Sequence, residues 1–397
     1  MKLSGLTVGI PREIMPREAR VAALPETVRN LGKEGARVLV EQGAGAGCDA
    51  ADAEYLQAGA ELCAEAAELY GRADIILKVK EPRFSSRHGR HEIELMRPGQ
   101  ILIAFLHPAA PDNHAMVRML RDRGITALTL DGIPRISRAQ SMDALTSMST
   151  VAGYKSVLMA ANLMKSFMPL MGTAVGVIPP AQALVVGAGV AGLQAIATAR
   201  RLGAVVTASD IRPQALDQAA SLGAKPLPTD VPPEEALGAG GYARALPERW
   251  LSHEREVLRP AVQAADMVIL SALVPGQVAP LLVDEAAVAA MRPGSVIVDI
   301  AIDQGGNCAC TAHDDTVTHH GVTIIGIKNI PGQMARSATW MFVRNLQHFL
   351  FYLAADGKLP LDASDDIVAS TLVTRDGKIL HAGTLAAMAT AENEVRA

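Results

Sequence analysis

Short apolar runs of strand length recur along the chain, separated by stretches whose apolar positions follow a helical period. Thr7 to Ile10, Arg37 to Val40, Ile75 to Val79 and Ile101 to Phe105 read as strands, with helices such as Pro25 to Lys33 and Ala53 to Ala58 between them. The runs are mostly apolar rather than alternating, the pattern of strands buried on both faces, so parallel sheets covered by helices are expected. A second series repeats the arrangement: Ala183 to Val186, Val205 to Ser209, Met267 to Ser271, Ser295 to Ile300 and Thr323 to Gly326. Two long helical stretches, Ala144 to Lys165 and Gln333 to Leu353, flank this second series. The last residues, with the turn-rich Thr374 to Lys378, are therefore expected to return to the first domain. That gives three spans: 1–143 for a first, substrate-side domain, 144–335 for a second domain, and 336–397 for a linking helix and the return.

At 397 residues the chain exceeds one ordinary domain. A formal charge of -4, with Lys and Arg scattered, argues against nucleic acid as the main partner and suits a small polar substrate. Ser166 to Ala199 carries no charge and is long enough to span a bilayer. Pro169, Pro179, Pro180, Gly187, Gly189 and Gly192 break it, so it resolves into a loop, a buried strand and a helix start. No secretory signal opens the chain, which is expected to begin near Met1 and to be cytoplasmic. Four cysteines without framework spacing fit a reducing compartment. Cys308, Cys310 and His313 do not make a recognised metal site, and no metal is expected. The Pro, Glu and Gly content of Pro228 to Gly241 exceeds what a short connection needs and suggests a mobile excursion.

The most informative stretch is ALVVGAGVAG at Ala183 to Gly192: a buried strand, a Gly-x-Gly-x-x-Gly turn, then the apolar helix Leu193 to Leu202. In this context Gly187 makes the tight turn, Gly189 admits a pyrophosphate to the backbone, and Gly192 lets helix and strand pack. The next strand ends at Asp210, placed to bond the adenosine ribose and to repel a 2′-phosphate, so NAD is expected over NADP. The candidate dinucleotide-binding residues are Gly187, Ala188, Gly189, Val190, Gly192, Asp210, Ile211 and Arg212, with Ala272 and Leu273 beyond the third strand. The fold class expected is α/β: two doubly wound domains, one a Rossmann NAD-binding domain inserted in a discontinuous first domain.

GIPREIMPREARVAALPETV near the start, VEQGAGAG at Val40 to Gly47, and PRISRAQSMD at Pro134 to Asp143 followed by AGYKSV resemble the alanine dehydrogenase and transhydrogenase family. GAGVAGLQAIATARRLGAVV, GGYA at Gly240 to Ala243 and VTRDGKI extend that resemblance along nearly the whole chain. The match looks closest to the NAD(H)-binding component of proton-translocating transhydrogenase. The resemblance implies that Arg135, Gln140 and Asp143 lie beside the nicotinamide ring, and that Gly241 and Tyr242 close over the nucleotide. It also implies separate membrane and NADP(H)-binding subunits as partners, peripheral attachment to the inner membrane through them, and a homo-oligomer.

KVKEP at Lys78 to Pro82, FLHPAA at Phe105 to Ala110 and DIAIDQGGN at Asp299 to Asn307 are similar instead to alanine dehydrogenase. There the second lysine, the histidine and the later aspartate face the substrate, which maps onto Lys80, His107 and Asp303. Arg20 and Lys80 are suited to hold a carboxylate. His107 follows a buried strand and titrates where proton exchange with an amine or hydroxyl needs it, with Asp303 to orient it or a water. Two functions therefore stay open: a transhydrogenase component, and a stand-alone NAD-dependent dehydrogenase of an amino or oxo acid.

Overall fold

The strand Thr7–Ile10 pairs in parallel with Arg37–Glu41 on one side and Ile75–Leu77 on the other, so the order of the sheet reverses at its carboxyl end. In the computed structural model, which describes residues 1–238, 243–274 and 278–396, this strand belongs to an eight-stranded sheet. Glu61–Cys63 extends the sheet beyond Arg37–Glu41, while Ile101–Ala104 and Thr126–Thr129 extend it beyond Ile75–Leu77. Leu372–Arg375 then pairs antiparallel with Thr126–Thr129, and Lys378–Ile379 closes that edge. Contacts divide the chain into Met1–Met148 with Gly332–Ala397, and Ser149–Pro331. The first unit is thus discontinuous in sequence. Its core gathers Leu69, Tyr70, Ile76, Leu102, Val117, Leu120 and Val373.

The second unit holds a seven-stranded sheet in which Gln182–Val186 lies between Val205–Ser209 and Met267–Leu270. Lys225–Pro226, Val296–Asp299 and Val322–Ile325 continue it in parallel, and Thr316–His319 is its antiparallel edge. Alternate residues of one strand serve opposite faces. Ala183 and Val185 pack with Ile196, Ala199 and Val206, whereas Leu184 and Val186 pack with Leu258, Val262 and Leu270. This two-faced burial is why the runs in the sequence are continuous rather than alternating.

The chain departs from the sequence reading between residues 166 and 180. Where a loop was expected, Met171–Thr173 and Gly176–Ile178 pair as an antiparallel hairpin. Its apolar side chains are exposed, Val175 at 99% and Val177 at 69%. The long excursion contains a short helix, Pro233–Ala236, and a bridge from Leu237 to Ala243. Gly241 and Tyr242 lie outside the described residues. Among the described residues no helix is long and apolar enough to cross a membrane. No group of three potential metal ligands occurs among them either, and Cys308 and Cys310 are free thiols.

Candidate functional site

Ligands of open α/β sheets bind beyond the carboxyl ends of the strands, and in the first unit His107 stands just past Ile101–Ala104. Its φ of +43° lies in the left-handed region, a conformation that costs a non-glycine residue about 1–3 kcal/mol. The turn is over-determined. The N–H groups of Leu106 (3.1 Å) and His107 (2.8 Å) donate to Oδ2 of Asp131, and the Asn113 amide donates to the carbonyls of Leu106 (3.1 Å) and His107 (3.2 Å). Asp131 follows the neighbouring strand, Thr126–Thr129, whose last hydroxyl also donates to it.

Asp131 fixes the imidazole as well as the backbone, because its Oδ1 lies 2.7 Å from Nδ1 of His107. With Nδ1–H committed there, Nε2 of the neutral ring carries the lone pair, and Lys80 Nζ is 3.3 Å from it. Burial pulls the imidazole pKa down, but the Asp131 charge and hydrogen bond outweigh burial and Lys80, so it is raised from 6.5. Burial would raise Asp131, yet His107, Thr129 and the backbone hold its carboxyl far below the usual range. Beside them Glu81 is buried with its Oε2 unpartnered, and Lys80 and His107 overcome burial to keep its pKa low. Such an imidazole is equipped to accept a proton from an amine or hydroxyl, with Lys80 beside it to hold a carboxylate.

The two lysines of KVK are not equivalent. Lys78 is fully buried between Glu92 (2.9 Å) and Glu13 (3.4 Å), and Glu92 also accepts from Tyr70 (2.9 Å). Burial pushes Glu13 up to about 7 against the pull of Lys78. Glu13 nevertheless supports the site, since it accepts the N–H of Val79 (2.6 Å) and of Lys80 (3.4 Å). Arg20, 2% exposed, is already gripped by Glu18, with Nε–Oε1 at 2.8 Å and Nη2–Oε2 at 2.5 Å, and it meets the Met148 sulfur at 2.9 Å.

Asp143 is a helix cap: it accepts the N–H (2.8 Å) and hydroxyl (2.6 Å) of Thr146 in the first turn of Ala144–Leu163. Arg135 and Gln140 are exposed along the turn that precedes it. Asp303 belongs to the second unit, exposed on the short helix Ile300–Gln304. The carboxylate that holds His107 is Asp131, which sequence reasoning misses.

In the second unit the glycine turn has the geometry its spacing implies. Gly187 has φ +89°, and a Cβ there would lie 2.8 Å from the backbone of Ser271 and Ala272. A Cβ on Gly192 would lie 1.8 Å from the Gly187 carbonyl oxygen, so helix and turn touch directly. Gly189, which caps the helix Val190–Arg201, has nothing within 4 Å of its ideal Cβ position. That open space at a helix N-terminus fits a pyrophosphate. Asp210 accepts the N–H of Ala188 at 2.8 Å and is paired with Arg212 at 2.8 Å. Ile211 is half-buried between them in sequence. Ala272 and Leu273 are half-buried past the third strand, where the buried Asn307 side chain accepts the Ala272 N–H (3.1 Å) and donates to its carbonyl (2.9 Å). Asn307 ends the DIAIDQGGN motif with no role that its spacing reveals, because an inward amide that braces a loop leaves no periodic signal.

Comparison with known proteins agrees with both halves. The family described as alanine dehydrogenase/PNT, N-terminal domain, matches residues 9–152, and the C-terminal domain of that family matches residues 156–382. The chain is 42% identical over 382 residues to the first part of NAD(P) transhydrogenase subunit alpha of Rhodospirillum rubrum, covering 95% of this chain and 98% of that one. It is 33% identical to alanine dehydrogenase of Methanococcus maripaludis, covering 95% of each. Among solved structures, the transhydrogenase from Sinorhizobium meliloti superimposes with a TM-score of 0.79 at 38% identity, covering 95% of this chain and 99% of that one. The chain belongs to the alanine dehydrogenase/PNT family.

Proposed function

We propose that this protein binds NAD(H) at the Gly187–Gly192 turn and acts as the soluble, alpha-subunit type component of an NAD(P) transhydrogenase. The observation that carries the proposal is a dinucleotide cradle in a chain that matches such a subunit across nearly the full length of both. When bound, NAD(H) gives or takes a hydride. The chain's own part is to hold the pyrophosphate on the backbone around Gly189, and to set the ring with Arg135, Gln140 and Asp143, the residues that the family resemblance assigns to it. Its partners are then separate membrane and NADP(H)-binding subunits. The test is reconstitution: mixed with the NADP(H)-binding subunit of a related transhydrogenase, the protein should transfer reducing equivalents from NADH to an NADP analogue. Absence of transfer while NADH still binds would overturn the assignment.

A second function, oxidation of a small amino acid or reduction of its oxo acid, is favoured by one observation: the Lys80–His107–Asp131 array, which transfer between two nucleotides does not need. In that function Lys80 and Arg20 hold the carboxylate, and His107 takes the proton. NAD reduction with a panel of amino and hydroxy acids decides between the two. Self-association into a homo-oligomer is part of both proposals. The exposed apolar hairpin supports it, since a lone two-stranded ribbon is marginal in water and a second copy would cover Val175 and Val177.

A further inference from the structure

The strand order of the second sheet reverses between Gln182–Val186 and Met267–Leu270, which lie side by side and parallel. A dinucleotide crosses such a reversal with one mononucleotide over each half of the sheet. Asp210, just past Val205–Ser209, belongs to the adenosine half. The nicotinamide half therefore falls beyond Met267–Leu270, where the chain continues through Ser271, Ala272 and Leu273.

That backbone is held from two sides. On one side the Ser271 hydroxyl donates to the Gly187 carbonyl (2.8 Å), and a Cβ on Gly187 would lie 2.8 Å from the Ala272 nitrogen, so the segment is pressed against the glycine turn. On the other side stands the fully buried Asn307. Its Oδ1 accepts the Ala272 N–H (3.1 Å) and its Nδ2 donates to the Ala272 carbonyl (2.9 Å), so the side-chain amide pairs with Ala272 as a neighbouring strand would. Nδ2 also donates to the Pro280 carbonyl (2.8 Å), which uses both amide hydrogens.

Asn307 is itself fixed. Its N–H donates to Oδ2 of Asp299 (2.8 Å), an oxygen that also accepts the Cys308 N–H (3.1 Å) and the Thr311 hydroxyl (2.9 Å). Its carbonyl accepts the N–H groups of Leu282 (2.9 Å) and Val283 (3.0 Å). Asp299 ends the strand Val296–Asp299, the neighbour of Met267–Leu270. One strand end thus fixes, through a single amide, the peptide groups that follow the strand beside it. A carboxylate at position 307 would meet two carbonyl oxygens, and an aliphatic side chain would leave the Ala272 and Pro280 groups unpaired.

We propose that Asn307 is a positioning residue for the nicotinamide half of the nucleotide. Buried beneath the segment, it acts by orienting the Ala272 and Leu273 backbone on which that half rests. This deepens the assignment of the glycine turn as the dinucleotide site and depends on it.

Calorimetric titration of NADH and of ADP against the wild type, Asn307→Ala and the milder Asn307→Ser tests the proposal. ADP keeps the adenosine and pyrophosphate but lacks the nicotinamide riboside. In both variants NADH should bind about tenfold more weakly while ADP stays within about threefold. Transfer at saturating NADH, in the reconstituted system, should fall about 10–100-fold, as expected when a reacting group is misplaced by about 1 Å. General damage to the unit would weaken NADH and ADP in step, and that result, or unchanged NADH binding, overturns the proposal while the glycine turn stands. If neither variant folds, Asn307 is a framework residue and the proposal fails as well. If the wild type itself binds neither nucleotide, the dinucleotide site fails first and the proposal with it.

Discussion

Nδ1 of His107 lies 2.7 Å from Oδ1 of Asp131, and the same carboxylate accepts the His107 backbone N–H at 2.8 Å, so one side chain fixes both the ring and the turn that carries it. Asp131→Asn keeps an acceptor but removes the charge, and the imidazole pKa should fall relative to the wild type. Ring-proton NMR across the titration reads this directly; an unchanged pKa would remove Asp131 as the cause. The signs for stability follow. The raised His107 contributes below its unfolded pKa and is lost as pH rises through the folded value, whereas the lowered Asp131 contributes above its unfolded pKa and is lost as pH falls. The substitution should therefore cost most between about pH 4 and pH 6.5, seen as a Tm difference that narrows on either side.

His107→Ala separates the two proposed activities. Transfer between nucleotides moves no proton through the imidazole and should stay within a few-fold, whereas oxidation of an amino acid should drop by roughly 100-fold or more. NADH binding should be retained, since His107 and the glycine turn belong to different units. Lys80→Ala should weaken a carboxylate substrate in parallel. Loss of NADH binding in His107→Ala would mark the histidine as structural.

Lys78→Met should destabilise the fold by about 3–5 kcal/mol, because Glu13 and Glu92 would be left buried without their cation. Urea denaturation measures it. A loss below about 1 kcal/mol would show that the two glutamates protonate or find other partners.

The glycine turn predicts opposite behaviour at neighbouring positions. Gly189→Val has room to fold and should keep its Tm while losing NADH, since the side chain takes the space offered to the pyrophosphate. Gly192→Ala should cost about 1–3 kcal/mol or more through its clash with the Gly187 carbonyl. Calorimetry and nucleotide fluorescence on both variants give four readings; NADH binding by a folded Gly189→Val would remove the turn from the site.

Val175→Asp combined with Val177→Asp should shift the protein to a smaller species in light scattering, with NADH binding intact. An unchanged mass would mean that the hairpin is not what joins the copies.

The central strands of both sheets are legible in the sequence because they pack on both faces and so print an unbroken apolar run, whereas the exposed edges at Lys225–Pro226 and Thr316–His319 print none; the glycine turn is legible because backbone crowding at Gly187 and Gly192 leaves no other residue type. Some strand ends read one or two residues too long, as at Val79 and Ser271. Asp131 is invisible in the sequence. A single carboxylate gains its meaning from a residue far along the chain, and nothing periodic announces it. The hairpin at Met171–Ile178 escapes because its residues are exposed, so no buried face imposes alternation on them.

The strand Leu372–Arg375 completes the first sheet by pairing with Thr126–Thr129, and Thr374 reaches the Ile125 carbonyl across 249 residues of chain. During synthesis, then, Thr126–Thr129 waits as an open edge while the whole second unit is made. Ser149–Pro331 has all its strands in hand first, so it is the part able to finish folding on its own schedule. The first unit must keep an unpaired parallel edge from joining other chains until the last residues arrive. A late C-terminal truncation before Leu372 would thus spare the nucleotide unit and expose that edge, producing aggregation rather than a simple loss of activity.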